Sequence, residues 1–185
     1  MVPETGDVPG GTALHRAARE WDPRRVAAIL GPLGEEARGE LLLARDAWGA
    51  TALHHAAYRK YLDVVEQLLS YPEWSGEMLL ARDGAGSTAL HLAARGDNPD
   101  VAEALIRIAG EDLARDLTLL QDEDGDTALH VAARHSVRVA KTLVRAGGRP
   151  LLQVRNGAGR TVREQAEYDG GPASKYLLNV IHFTL

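Results

Sequence analysis

With 185 residues, of which 45% are hydrophobic and 25% charged, the chain has the balance of a folded protein and not that of a disordered one. A formal charge of -5 argues against the broad basic face that nucleic acid requires, and the absence of cysteine excludes disulfide scaffolds, thiolate metal sites and a cysteine nucleophile. The opening Met1-Val2-Pro3-Glu4-Thr5-Gly6 lacks the basic start and apolar run of a secretory signal, and no stretch of about 18 apolar residues offers a membrane span. These features point to an intracellular, cytoplasmic chain; nuclear or secreted-effector use fits the same residues.

Residues 1 to 11 are rich in Gly and Pro and read as a loose start, except where Asp7 and Gly10 make part of a turn. Thr12 is placed to cap a helix that runs through Ala13-Leu14-His15-Arg16-Ala17-Ala18 to about Arg19. Asp22-Pro23 then reads as a cap followed by Pro in the first helical turn, opening a second helix through Val26, Ile29 and Leu30. The first unit is thus two antiparallel helices and a turn.

The same unit returns. Its clearest opening is Asp83-Gly84-Ala85-Gly86-Ser87-Thr88-Ala89-Leu90-His91-Leu92-Ala93-Ala94, matched by Asp46 to Ala57 and by Asp122 to Ala133. A weaker copy runs from Asn156 through Gly159 to Thr161-Val162-Arg163-Glu164-Gln165-Ala166. Aligned on threonines 12, 51, 88, 127 and 161, the copies are spaced by 39, 37, 39 and 34 residues, with Asp or Asn five residues earlier and Gly two earlier. Asn98-Pro99 repeats the second-helix start, and Leu68-Leu69 and Leu105-Ile106 repeat the apolar pair Ile29-Leu30. The fourth copy is one residue short and uses Val139, Leu143 and Val144.

Recurrence of a helical pair in one register, though its length drifts, identifies stacked repeats with one shared core. The phrase resembles the ankyrin repeat, Asp-x-x-Gly-x-Thr-Pro-Leu-His-x-Ala-Ala, with Ala in place of Pro in the three central copies. The resemblance covers about residues 7 to 181. It implies an all-α solenoid of helix-turn-helix units with β-hairpin-like fingers, a single domain over 1–185 with repeats near 7–45, 46–82, 83–121, 122–155 and 156–185. The segments 31–45, 70–82 and 107–121 exceed the family length, and their apolar content predicts elongated fingers with short extra helical turns at the bases. Lys175 to Ile181 reads as the last helix, with Phe183 folding back on it or meeting a partner.

Chemistry finds little support. His15, His54, His91 and His130 recur once per repeat, about 10 Å from one another, the interaxial scale, and so cannot converge on a metal ion at about 2 Å. By resemblance they tie the hairpin and capping Thr of adjacent repeats. Asp122-Glu123-Asp124-Gly125-Asp126 lacks the order of a calcium loop and reads as a solvated acidic fingertip. Gly157-Ala158-Gly159-Arg160-Thr161 is too short for a phosphate loop. No catalytic residue, cofactor or metal is expected.

What repetition creates is a surface. The resemblance implies partner contact at the fingertips and at the positions seven and eight after each Thr, which hold Arg19-Glu20, Tyr58-Arg59, Arg95-Gly96, Arg134-His135 and Tyr168-Asp169. Arg and Tyr are favoured interface residues, so the expected contacts are Arg19, Tyr58, Arg59, Arg95, Arg134 and His135, joined by Glu123, Asp124, Asp126 and above all Trp48 at a fingertip. Trp21 and Trp74, near helix junctions, are expected to be structural. The function expected is a non-catalytic scaffold, adaptor or inhibitor that takes a protein or peptide, mixed or acidic, in a concave groove. Rivals are a sensor of small anions held by the Arg row, and inhibitors or effectors of ankyrin type. A monomer is expected, with self-association through the tail from Tyr176 to Leu185 as the alternative.

Overall fold

The computed structural model describes the backbone of residues 9–182 and side chains as far as 179; Asp7, Phe183 and the end of the tail, on which three of the expectations rest, lie outside these limits. Among the described residues the chain is helical: α1 (Ala13–Arg19), α2 (Pro23–Leu30), α3 (Glu35–Leu43), α4 (Ala52–Tyr58), α5 (Leu62–Leu68), α6 (Pro72–Leu80), α7 (Ala89–Arg95), α8 (Pro99–Leu119), α9 (Ala128–His135), α10 (Val137–Gln153), α11 (Val162–Asp169) and α12 (Ser174–His182). Extended pairing among them is confined to two isolated bridges, Gln121 with Thr127 and Arg155 with Thr161. This is an all-α repeat solenoid.

The elements stack in columns. First helices pack in the order α1, α4, α7, α9, α11, and second helices in the order α2, α5, α8, α10, α12. Small residues let the first column pack closely: Ala17-Ala18, Ala56-Ala57, Ala93-Ala94 and Ala132-Ala133 are buried, as are Leu14, Leu53, Leu90 and Leu129 two residues after each Thr. Each such leucine contributes roughly 2 kcal/mol of apolar burial.

The extra length does not lengthen the fingers. It forms a third helix in each of the first three repeats, because its leucines supply an apolar stripe that a neighbour can cover: Leu42 on α3, Met78 and Leu79 on α6, and Leu117 in the second half of α8 are all buried. Here α3 packs on α6, and α6 on α8. In α8 the break between second and third helix is Gly110, at φ 70 and ψ 174, a conformation glycine adopts without a Cβ clash; Gly148 breaks α10 in the same way. The fingers are tight turns, drawn in by Asp side chains. Asp46 Oδ1 accepts from the N–H groups of Trp48 at 2.9 Å and Ala50 at 3.0 Å.

Three kinds of bond join neighbouring repeats. Fingertip N–H groups donate sideways, from Ala47 to Pro9 O at 2.9 Å, Gly84 to Trp48 O at 2.7 Å, Glu123 to Ala85 O at 3.0 Å and Gly157 to Asp124 O at 2.8 Å. Side chains six residues before the Thr bridge neighbouring fingers, as Arg82 does to Gly86 O at 3.2 Å and Gln121 O at 2.5 Å. The third bond is from histidine. Nδ1 of His15, His54, His91 and His130 accepts from the N–H of its own capping Thr, so the ring proton sits on Nε2. Nε2 then donates to the next repeat, at Ala50 O (3.0 Å), Ser87 O (3.0 Å), Asp126 O (3.1 Å) and Arg160 O (3.1 Å). Desolvation pulls His54 and His91 down to about 4, so both rings are neutral at pH 7. In the fifth repeat Glu164 replaces the His and caps Thr161 N at 2.8 Å, and the chain of inter-repeat imidazoles ends there.

Two expectations need correction at the helix junctions. Asn98 stands at the N-cap of α8, but its side chain does not cap the helix; its amide donates to Ala57 O at 2.6 Å and Tyr58 O at 2.9 Å and so ties repeat three to repeat two. Trp21 is 61% exposed. It sits at φ 56, a left-handed conformation unfavourable for a bulky residue, and stacks on Tyr61 with ring centroids 5.9 Å apart. Trp74 is structural as expected: it is half-buried, and its indole fills the space where a Cβ on Gly39 would stand.

Candidate interaction face

On the finger side of the first helices, the residue just before each capping Thr and the residue seven after it form a pair. In repeat four the pair is Asp126 and Arg134, joined at 2.6 Å. In repeat five it is Arg160 and Tyr168, with the guanidinium 3.7 Å from the ring centroid. In repeats two and three the first member is small: Ala50 precedes Tyr58, and Ser87 precedes Arg95. Ala50 has no polar group, and the Ser87 hydroxyl is buried without a hydrogen-bond partner among the described residues. Tyr58 is 40% exposed, and Tyr168, under Arg160, is 72% exposed. Arg95 is exposed and makes no ion pair among the described residues.

Between these two open pairs lies a hollow of about 420 Å³, walled by Trp48 and Tyr58, floored by Ala50, His55 and Leu92, and rimmed by Ala85 and Arg95. Its apolar character has a local cause. The position four after the Thr is Leu92 in repeat three, and in repeat two it is His55, which is buried and turned onto Asp46 Oδ2 at 2.7 Å. Desolvation lowers the His55 pKa against the opposing pull of Asp46, so a neutral imidazole donates from Nε2 to a carboxylate that the finger turn also holds. Trp48 is half-buried and stands edge-on to this ring, with centroids 6.5 Å apart. It is neither a bare fingertip indole nor a core residue: one side rests on His55 and the other faces the hollow.

A second hollow lies between repeats four and five and is polar, lined by Glu123, Asp124, Asp126, Arg134, Asn156, Arg160 and Gln165. Asn156 Nδ2 donates to Asp126 Oδ1 at 2.8 Å and to Gln165 Oε1 at 3.1 Å, so these side chains are already joined, while Glu123 and Asp124 stay exposed at its edge.

The expected contact residues therefore separate. Trp48, Tyr58 and Arg95 come together at one hollow. Glu123 and Asp124 are exposed on the fourth finger, and His135 is exposed at the end of α9, its pKa lowered first by partial burial and then by Arg134 and Arg95. Arg59 is half-buried. Asp126 is 4% exposed and belongs to the Arg134 pair, so it is no part of a solvated fingertip. Arg19 is 8% exposed; burial and the nearby Arg59 lower its pKa, with Asp46 opposing. The Arg row is not a continuous open ladder.

Sequence reasoning missed Ser87, Leu92 and the His55 to Asp46 pair. The signal was present as a departure from the repeat average: His, Leu, Val and Gln occupy the fourth position after Thr51, Thr88, Thr127 and Thr161. Among the described residues no group of three or more His, Cys, Asp or Glu is placed to hold a metal ion, and no helix is long and apolar enough to cross a membrane.

These features define a helical repeat protein whose framework is bonded internally and whose variable side chains gather on one face. Comparison with known families matches Ankyrin repeats (3 copies) to residues 76–153 and Ankyrin repeat to residues 48–73, together more than half of the chain. The chain belongs to the ankyrin-repeat family, whose members are generally non-catalytic modules of protein interaction. A comparison with curated proteins finds no match.

Proposed function

We propose that this chain is a protein-binding module, a scaffold, adaptor or inhibitor, that takes a partner across its fingers and first helices as one domain of five repeats bounded near residues 7, 46, 83, 122 and 156. The observation that carries this reading is the hollow of about 420 Å³ walled by Trp48 and Tyr58. Two aromatic side chains facing an open recess on a scaffold that does not need them for its own bonds have the composition of an interface centre. Arg95, Arg59, His135, Glu123 and Asp124 surround it as the polar rim, and Arg19, Arg134 and Asp126 act as supports.

The test is affinity capture with the parent chain and with a Trp48→Ala, Arg95→Glu variant of matched circular dichroism. A partner retained by the parent and lost by the variant supports the reading; a partner held equally by both removes it. A row of arginines for a small anion is less well supported, since Arg134 already has Asp126.

A further inference from the structure

We infer that Arg95 and the Trp48–Tyr58 hollow together take one protein segment bearing a large apolar side chain within a few residues of an Asp or Glu, whose carboxylate fills for Arg95 the place that Asp126 fills for Arg134. This specifies the ligand of the binding face proposed above and rests on that reading.

The argument is an internal comparison. Repeats three and four place the same backbone carbonyl, of Ser87 and of Asp126, at the end of the preceding repeat's imidazole, at 3.0 Å and 3.1 Å. Their frameworks are equivalent there, and Arg95 and Arg134 leave equivalent turns of α7 and α9. The side chain before the Thr, which the arginine would meet, differs. Asp126 closes its pair at 2.6 Å, whereas Ser87 is too short to do so. A guanidinium is thus held on a rigid helix end, in a position shown by its own homologue to suit a carboxylate.

Asp46 and Asp83, the acids on the finger side of the hollow, do not supply that carboxylate. Asp46 Oδ2 holds His55 at 2.7 Å and its Oδ1 holds the finger turn. Asp83 Oδ1 accepts from Ala85 N and Ser87 N, both at 2.9 Å, and is likewise fixed in its turn. Arg95 is the cation exposed at the hollow, and with Asp46 and Asp83 tied into their own turns an acid on the partner complements it. The adjoining recess adds the second requirement. With Leu92 and Ala50 below and two rings at the side, its mostly apolar lining accepts the volume of one Leu, Phe or Trp side chain.

Random twelve-residue peptides displayed on phage are selected on the parent chain, and synthetic copies of the winners are titrated by fluorescence anisotropy. Winners should pair an aromatic or branched apolar residue with a nearby Asp or Glu. Arg95→Glu should weaken them at least about tenfold, as loss of a central interface residue does. Ser87→Asp, which copies the closed pair of repeat four into repeat three, should weaken them similarly while keeping the thermal midpoint. Replacing the peptide acid by Lys should restore binding to Arg95→Glu. Winners without the acid, or indifferent to both substitutions, overturn this assignment and leave the broader reading standing. A selection that enriches no peptide above background removes both.

Discussion

The hollow between repeats two and three and the one between repeats four and five are built on the same framework and differ in what their side chains have left to offer. At the C-terminal hollow, Asp126 meets Arg134 at 2.6 Å, Asn156 joins Asp126 at 2.8 Å, and Arg160 covers Tyr168 at 3.7 Å. Apart from the exposed Glu123 and Asp124, its polar side chains answer one another. At the central hollow the equivalent positions hold Ala50 and Ser87, and Tyr58 and Arg95 face outward. The difference teaches that a repeat framework can turn one face into either stabilising or binding surface by changing a single residue before each capping Thr. In repeats two and three a short residue leaves the pair open, and in repeat four a charged one closes it.

The comparison can be broken most severely by acid, which attacks the frame common to both hollows. His54 and His91 have native pKa values of about 4, below the ordinary value of 6.5. The unfolded chain therefore binds protons that the native chain refuses, and stability present above pH 6.5 is lost as pH falls from 6.5 towards 4. Each ring should cost roughly 3 kcal/mol across that window. Urea denaturation at intervals of pH should show the loss, and a flat profile between pH 6.5 and 4.5 would contradict the buried, neutral assignment.

A smaller effect distinguishes the two hollows. Arg134→Ala leaves Asp126 buried without its cation and should cost about 1–3 kcal/mol, at the lower end because Arg134 itself is a third exposed. Denaturant midpoints at fixed pH would measure it. The smallest effect is expected of Arg95→Ala, which removes an exposed side chain with no ion pair and should change stability by no more than about 0.5 kcal/mol. Equal costs for the two arginines would mean that the central pair is not open and would undercut the contrast.

Much of the fold was legible because the ankyrin phrase is local. Thr, Leu and His at fixed offsets specify a cap, a buried contact and a ring bond within four residues, and each recurs often enough to be read through noise. The third helices were read as part of longer fingers because Leu41-Leu42-Leu43 and Met78-Leu79-Leu80 announce burial without saying what covers them. Of the site, Trp48, Tyr58 and Arg95 were visible as interface residues at expected positions. Arg134 carried the same signal as Arg95, and Asp126 the same signal as Glu123 and Asp124, because position alone does not tell whether a charge meets a neighbour eight residues away.

By itself the sequence determined the repeat unit, its register and the family, since these rest on spacing along the chain and on the short-range preferences of Thr, Gly, Ala and Leu. Tertiary structure alone decided which side chains of the recurring row are engaged and which are open. That outcome depends on reach between finger and helix: Asp126 spans the gap and Ser87 does not, and His55 bends onto Asp46 where Leu92 lines a recess.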